Sequence, residues 1–212
     1  MFGTHDLALF IVSGLLLNVA PGPDSLYIIG RSASQGWRAG TAAAFGIGTG
    51  TLVHIFAAAF GLSAVLATSA LAFTIVKVAG AAYLLYMGAT MLLTRGGKQE
   101  VQTQQEMKPT PLRKIFMQGF LTNVLNPKVA LFFLAFMSQF IDAAAPHKAW
   151  AFIFLGVIFD FNGMLWCNFL AWSAAHAGAR LKGNAKVSRW SNRLTGGLFV
   201  GLGIKLFLSK QN

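Results

Sequence analysis

The sequence has little charge and very few acidic residues. Only 11% of its 212 residues are charged, with 6 Asp and Glu against 17 Lys and Arg. A soluble domain normally carries about a quarter charged residues. Hydrophobic residues make up 55% of the chain, and the mean hydropathy is +0.60. This composition places the chain among integral membrane proteins, with the lipid bilayer as its surroundings.

Cysteine and the common catalytic motifs are also scarce. Cys167 is the single cysteine, so one chain can form neither a disulfide framework nor a Cys-x-x-Cys redox or metal site. A thiol-electron carrier would need two chains to combine. The sequence contains no His-Glu-x-x-His, Gly-x-Ser-x-Gly or P-loop motif, which argues against a membrane protease and an ATP-driven pump. We therefore predict a protein that is not an enzyme and has no cofactor and no resident metal.

The net charge of +11 would suggest nucleic-acid binding in a soluble protein. Here the positive residues lie between apolar segments, as in the cytoplasmic loops of membrane proteins. We therefore predict no nucleic-acid partner. Met1–Asp6 contains no Lys or Arg, and no small-residue cleavage site follows the first apolar segment. The first segment is accordingly predicted to remain in the mature protein.

Apolar segments dominate the rest of the chain. A membrane-spanning helix needs roughly 20 apolar residues, and six segments meet or approach that length: 7–29, 40–66, 71–93, 115–141, 149–175 and 191–209. The last is the shortest. The predicted fold class is an all-α integral membrane protein with six transmembrane helices.

Positive charge alternates between the loops that join these segments. The positive residues of the first, third and fifth loops are Arg31 and Arg38; Arg95, Lys98, Lys108, Arg113 and Lys114; and Arg180, Lys182, Lys186 and Arg189. The second loop has none and the fourth has only Lys148. The positive-inside rule then predicts odd-numbered loops in the cytoplasm and both termini in the periplasm. The long polar stretch 94–114 is predicted to be a mobile cytoplasmic linker between two three-span units, 1–93 and 115–212.

The second unit begins as the first does. Residues 14–19 align without gaps on residues 119–124, and the Pro-Gly-Pro motif at 21–23 is echoed by Asn-Pro-Lys at 126–128. An odd number of spans in each repeat forces the two repeats into opposite orientations. The predicted arrangement is two inverted three-helix repeats, with the first and fourth helices broken, as in many secondary transporters.

The predicted breaks occur at prolines. Proline lacks a backbone N–H and clashes with the preceding helical turn. Inside hydrocarbon, a break is tolerated only where protein or a water-filled cavity satisfies the freed backbone groups. Freed N–H groups could bind a carboxylate, and freed carbonyls an ammonium or cation. The predicted substrate-binding residues at the two breaks are Asn18, Pro21, Gly22, Pro23, Asp24, Asn123, Asn126, Pro127 and Lys128.

Two aspartates and one histidine are candidates for proton coupling. Asp24 and Asp160 are the only acids within the predicted spans, and an intramembrane carboxylate is usually functional or paired. Each could bind a substrate ammonium or carry a proton. The alternative is a structural pair, with Lys128 as the partner of Asp24. His54 could relay protons, but a lone histidine more often makes one interhelical hydrogen bond.

Several motifs together resemble the LysE/RhtB family of amino-acid exporters. The matching residues are Asn18 to Asp24, Gly36-Trp37-Arg38-Ala39-Gly40, Gly46-x-x-x-Gly50 with His54, Lys77-x-x-Gly80-Ala81-Ala82-Tyr83-Leu84-x-x-x-Gly88, and Gly119-Phe120-x-x-Asn123-x-x-Asn126-Pro127-Lys128. The resemblance covers nearly the whole chain. It implies export of amino acids or related small metabolites across the bacterial inner membrane, driven by proton exchange, without identifying the substrate.

The sequence alone leaves alternatives to amino-acid export open. A metal or inorganic-ion exporter would need converging Cys, His, Met or carboxylate ligands, and four histidines and one cysteine are poor material for such a site. A non-transporting scaffold would not explain two matched helix breaks. Glycine-rich helix faces, such as Ala42, Gly46 and Gly50, would permit a homodimer but serve equally for packing within one chain.

Overall fold

The computed structural model describes residues 2–62, 109–142 and 145–177, with scattered helical positions between 78 and 93 and between 193 and 207. Its α-helices are α1 (Leu7–Val19), α2 (Pro23–Gln35), α3 (Trp37–Phe56), α4 (Leu112–Val124), α5 (Pro127–Ala135) and α6 (Lys148–Ala177). A π-helical segment, Ala57–Leu62, continues α3, and a 3-10 segment, Met137–Phe140, follows α5. The described part is therefore all-helical, apart from an isolated β-bridge between Thr4 and Ile141.

The first predicted break occurs where expected. Helix α1 ends at Val19, α2 begins at Pro23, and the two helices are bent by 53° relative to each other. The predicted span ended at residue 29, but α2 continues to Gln35 and ends at Gly36, whose φ of 82° favours glycine. Arg31, predicted to lie in a loop, is therefore a helical and buried residue. The loop prediction was wrong because Arg31 finds hydrogen-bond acceptors on the second half of the chain.

The second break matches the first in position along its repeat. Helices α1 and α4 each contain 13 residues and end at Val19 and Val124, the last positions of the aligned segments. Helix α5 then begins with Pro127, and the Asn126 side chain caps it by accepting a hydrogen bond from the Lys128 backbone N–H at 3.0 Å. The repeat seen in sequence thus corresponds to a repeated helix–break–helix unit.

Two helices are long and apolar enough to cross a membrane alone, Trp37–Gly61 and Lys148–His176. The bent α1–α2 pair counts as a third if taken as one span, so the described residues contain two to three candidate spans. Most of the predicted spans 71–93 and 191–209, and linker residues 94–108, lie outside the described residues. The six-span inverted topology and the division into two units stay predictions.

Large apolar side chains form an exposed row along α6. Phe161, Leu165 and Phe169 are spaced by four residues and are more than half exposed, so they lie on one face of the helix. Exposed apolar surface of this kind is unfavourable in water but is expected of a helix face in lipid.

Helices α3 and α4 approach closely through glycine. A Cβ added to Gly46 would collide with the Phe116 backbone carbonyl, and one on Gly119 would lie 2.6 Å from the Ala43 carbonyl oxygen. Such proximity of backbones is typical of small-residue interfaces in membranes. The packing face predicted around Gly46 and Gly50 is covered by α4, which brings the second break against α3.

Candidate functional site

Asp24 joins the two breaks. It lies in the first turn of α2, where helix N-termini favour negative charge. Its Oδ2 atom accepts hydrogen bonds from Asn123 Nδ2 at 2.9 Å and Asn126 Nδ2 at 3.2 Å. Its other oxygen, Oδ1, is buried and has no hydrogen-bond partner among the described residues. The carboxylate is thus fixed through one oxygen and left available through the other.

Lys128 completes the first break from the opposite side. Its Nζ donates to the carbonyl oxygens of Leu17 at 3.3 Å and Ala20 at 3.2 Å. In an unbroken helix the Leu17 carbonyl would accept from the N–H of residue 21, which is Pro21 and has none. Within the described residues Lys128 forms no ion pair with Asp24. Lys128 therefore binds backbone carbonyls and does not form the direct ion pair with Asp24 that the sequence left open as an alternative.

At the second break, His54 donates to a backbone carbonyl, as Lys128 does at the first. Its Nε2 lies 3.0 Å from the Asn123 carbonyl oxygen, which can only accept, so Nε2 donates. Pro127 would otherwise have supplied the N–H for that carbonyl. The imidazole also stacks on Phe133, with ring centroids 6.0 Å apart. His54 thus makes an interhelical hydrogen bond, the structural role that the sequence offered as the alternative to relaying protons.

A cavity of about 60 Å³ lies between the two breaks and α6, which is large enough to hold water. The polar side chains that line it are those of Asn18, Asp24, Ser25, Thr51, Asn123, Asn126, Lys128 and Asp160. The larger apolar ones are those of Leu17, Ile47, Val129, Phe159, Met164 and Cys167. A polar end and an apolar wall therefore meet in one small space, as in binding sites for small molecules.

Two further polar groups line this cavity, and one of them has no partner among the described residues. Asn18 Nδ2 is buried without a hydrogen bond in the described part of the chain, close to the position where Gly163 has no side chain. The Asp160 carboxylate lines the cavity on α6, and an added Cβ on Gly48 would lie 3.5 Å from its Oδ1. Buried polar groups are normally paired, so these positions are suited to a polar ligand.

The structure brings most of the sequence-predicted residues to one place. Those that line the cavity are Asn18, Gly22, Asp24, Asn123, Asn126, Lys128 and Asp160. His54, Pro21 and Pro23 are not among the lining residues, although His54 contacts Asn123, which is. The side chain of Pro127 lies outside the described part of the structure. Sequence patterns did not predict Gly163, Met164 and Cys167, which line the cavity from α6 and which we call the α6 wall. They follow Asp160 at three, four and seven positions. That spacing puts them on one helix face with Asp160 and could have identified them.

Replacing Lys128 with methionine should destabilise the first break. The Leu17 and Ala20 carbonyls would lose their donor, and an unsatisfied buried polar group costs about 1–3 kcal/mol. We expect a lower melting temperature for Lys128→Met in detergent and a smaller loss for Lys128→Arg, which can still donate. Equal melting temperatures for Lys128→Met and the wild type would contradict this bonding role.

Comparison with known proteins gives a consistent result. Residues 15–210 match the sequence model of the family described as LysE type translocator. A leucine efflux protein of Salmonella typhimurium is 31% identical over 208 residues, which cover 97% of this chain and 96% of the relative. A leucine efflux protein of Enterobacter sp. is 29% identical over 205 residues, covering 97% and 96%.

An uncharacterized membrane protein of Pseudomonas aeruginosa is 29% identical over 208 residues, covering 96% of this chain and 95% of the relative. No solved structure was found to match the chain. The matched residues of the family include both helix breaks, Asp160 and the whole α6 wall of the cavity. From the extent of this match, the chain belongs to the family of LysE type translocators.

Proposed function

We propose that the protein exports amino acids from the cytoplasm and binds them in the cavity between the two helix breaks. The observation that carries this proposal is the Asp24 Oδ1 atom beside that cavity, which is buried and has no hydrogen-bond partner in the described ranges. A free carboxylate oxygen in an apolar surrounding is suited to a substrate ammonium. Family membership and the efflux relatives support export, and the names of those relatives make leucine the first amino acid to test.

The opposite charges of an amino acid would bind different parts of the breaks. The ammonium would contact Asp24 and the carbonyls freed at the end of α1. The carboxylate would contact N–H groups at the start of α2, where Gly22 adds no side chain, and the Lys128 ammonium. Asn18 would bind through its unpartnered amide. Asn123 and Asn126 would act by fixing Asp24, and Pro21, Pro23 and Pro127 by creating the breaks.

Transport would proceed by alternating access coupled to protons. Proton uptake by Asp24 or Asp160 would remove the negative charge that holds the ammonium and so favour release on the outer side. His54, bound to the Asn123 carbonyl, could transmit changes at the second break. The proposed location is the bacterial inner membrane, with six spans in two inverted repeats and both termini in the periplasm.

Counterflow in proteoliposomes tests this function directly. Purified protein would exchange labelled amino acids against an excess of unlabelled ones, with leucine first in a panel of basic, hydroxylated, branched and sulfur-containing types. Accumulation of one chemical class is the expected result. A folded protein that exchanges no amino acid would contradict the proposal and favour an ion exporter.

Replacing Asp160 with asparagine should separate exchange from proton coupling. Counterflow needs no net proton movement, so Asp160→Asn should keep counterflow while losing accumulation driven by an imposed pH gradient. The measurement compares the two assays on the same proteoliposomes. If Asp24→Asn and Asp160→Asn each left gradient-driven transport intact, the proton mechanism would be wrong.

A further inference from the structure

A second polar cluster lies on α2 beyond the cavity, and the function proposed above does not use it. Its α2 members, Tyr27, Arg31 and Gln35, follow Asp24 at intervals of three or four residues, so they share one helix face with it. Arg31 lies about 10 Å along α2 from Asp24, toward the end of the helix at Gly36. This face packs against α4 and the residues just before it.

The cluster binds the two halves of the chain together. The Tyr27 hydroxyl lies 3.0 Å from both the Ile115 carbonyl oxygen and Gln118 Oε1. Gln118 Oε1 also accepts from Arg31 at 2.9 Å. Gln35 Nε2 donates to the Thr110 carbonyl oxygen at 3.0 Å. We call this cluster of Tyr27, Arg31, Gln35, Thr110 and Gln118 the α2–α4 seam.

Arg31 is unusual within the seam because it is a buried cation with no counter-charge among the described residues. It is 7% exposed, and the acceptors of its guanidinium in the described part of the chain are neutral oxygens of Gln118, Gln35 and Thr110. Its Nε is buried and has no hydrogen-bond partner in the described ranges. No described carboxylate forms an ion pair with it.

A guanidinium normally binds a carboxylate better than it binds neutral acceptors. Hydrogen bonds between two charged groups are shorter and roughly twice as strong as neutral ones, and Arg can bind both carboxylate oxygens at once. Buried charges are usually paired for the same reason. Arg31 therefore has acceptors weak enough to be exchanged for a carboxylate arriving from outside the seam.

We propose that the α2–α4 seam closes the cavity on the side where α2 ends, and that Arg31 binds the carboxylate of the entering amino acid. This inference rests on the proposed function. Separating α2 from α4 would take the Gln118 and Thr110 oxygens away from Arg31, so that of its described acceptors only Gln35, on its own helix, would remain. A substrate carboxylate would replace the two lost acceptors. The new bonds to the substrate thereby replace the hydrogen bonds lost when the seam opens. Opening is then favoured only by a molecule that carries a carboxylate.

The native Cys167 allows a test on the full-length protein, because it lines the cavity and is the single cysteine of the chain. Its alkylation by a membrane-impermeant maleimide is measured from each side of sealed vesicles, with Cys167→Ser as the blank. Gln118→Ala removes the acceptor shared by Tyr27 and Arg31. Losing about 1.4 kcal/mol of hydrogen bonding should raise the alkylation rate about tenfold, only from the side where α2 ends.

The milder Tyr27→Phe, which loses one hydroxyl, should raise the rate less and guards against misfolding of Gln118→Ala. The matched control is Arg38→Lys, because Arg38 is exposed at the start of α3 and lies outside the seam. If Gln118→Ala and Tyr27→Phe are alkylated at the rate of Arg38→Lys from both sides, the seam does not close the cavity.

The carboxylate role is tested by ligand effects on the same alkylation. L-leucine applied on the side where α2 ends should change the alkylation rate of the wild type. Arg31→Lys should raise the half-saturating concentration of L-leucine about tenfold, because lysine cannot bind both carboxylate oxygens at once. L-leucinamide, which lacks the carboxylate, should act at the same concentration on both proteins. If counterflow selects another amino acid, that amino acid and its amide replace leucine and leucinamide. Equal shifts for the acid and its amide, or no effect of the counterflow substrate on the wild type, would overturn this role.

The alkylation test is separable from the test of transport. If counterflow fails for every amino acid while Gln118→Ala still admits the maleimide from one side, the proposed function is wrong and the seam still closes the cavity. If counterflow succeeds and both seam variants behave as Arg38→Lys does, the function stands and this inference fails.

Discussion

Replacing Asp24 with asparagine is expected to lower amino-acid exchange about 100-fold while leaving the protein folded. Removing one partner of a buried charge pair costs roughly 3 kcal/mol or more, which corresponds to that factor. The asparagine oxygen can still accept from Asn123 and Asn126, which donate to Asp24 Oδ2 at 2.9 and 3.2 Å. The two breaks should therefore stay joined, and only the charge for the substrate ammonium is lost.

The measurement is the initial rate of counterflow at equal amounts of protein, with elution volume and melting temperature as checks on folding. Asp142→Asn is the matched control because Asp142 is exposed, with its side chain 59% accessible, and lies outside the cavity. Asp24→Asn and Asp142→Asn with equal exchange rates would show that the free Oδ1 does not bind substrate. Recovery of exchange in Asp24→Glu would support a requirement for the carboxylate.

Gly46→Ala is expected to be strongly destabilising. The new Cβ would collide with the Phe116 backbone carbonyl and lie 2.9 Å from the Phe120 nitrogen. Backbone cannot move aside as a flexible side chain can, so the cost should reach or exceed the roughly 3 kcal/mol upper range of overpacking. Separating α3 from α4 would also displace the second break.

Melting temperature and the yield of monodisperse protein report this effect. Gly61→Ala is the matched control, because no described atom lies within 4 Å of the added Cβ at Gly61. Gly119→Ala, which adds a methyl group to the other side of the same interface, should behave as Gly46→Ala does. If Gly46→Ala melts at the temperature of Gly61→Ala, the α3–α4 contact is looser than described.

Much of the local structure followed from the sequence because it depends on covalent chemistry. Proline lacks an N–H wherever it occurs, so both breaks and their helix ends at Val19 and Val124 were predictable without tertiary information. Small residues at four-residue spacing likewise indicated the packing face on α3. The end of the first span was misplaced because hydropathy counts Arg31 as a loop residue.

The partners of the polar groups could not be predicted from the sequence. Asp24 had an evident ion-pair partner in Lys128, but Lys128 instead donates to the carbonyls of Leu17 and Ala20. The Leu17 carbonyl loses its helical donor because residue 21 is proline, and the Ala20 carbonyl loses its donor because the helix breaks there. Each must find a donor within the protein. Which donor reaches them depends on distances between helices that are far apart in the chain.

The sequence by itself determined where the helices break and which residues are too polar for lipid. The tertiary structure alone decided that the Asp24 carboxylate accepts hydrogen bonds from Asn123 and Asn126, while its Oδ1 has no partner among the described residues. It also decided that Arg31 is buried among neutral acceptors. The physical reason is that helix breaks arise from bonding within a few residues, whereas polar pairing arises from contacts across about one hundred.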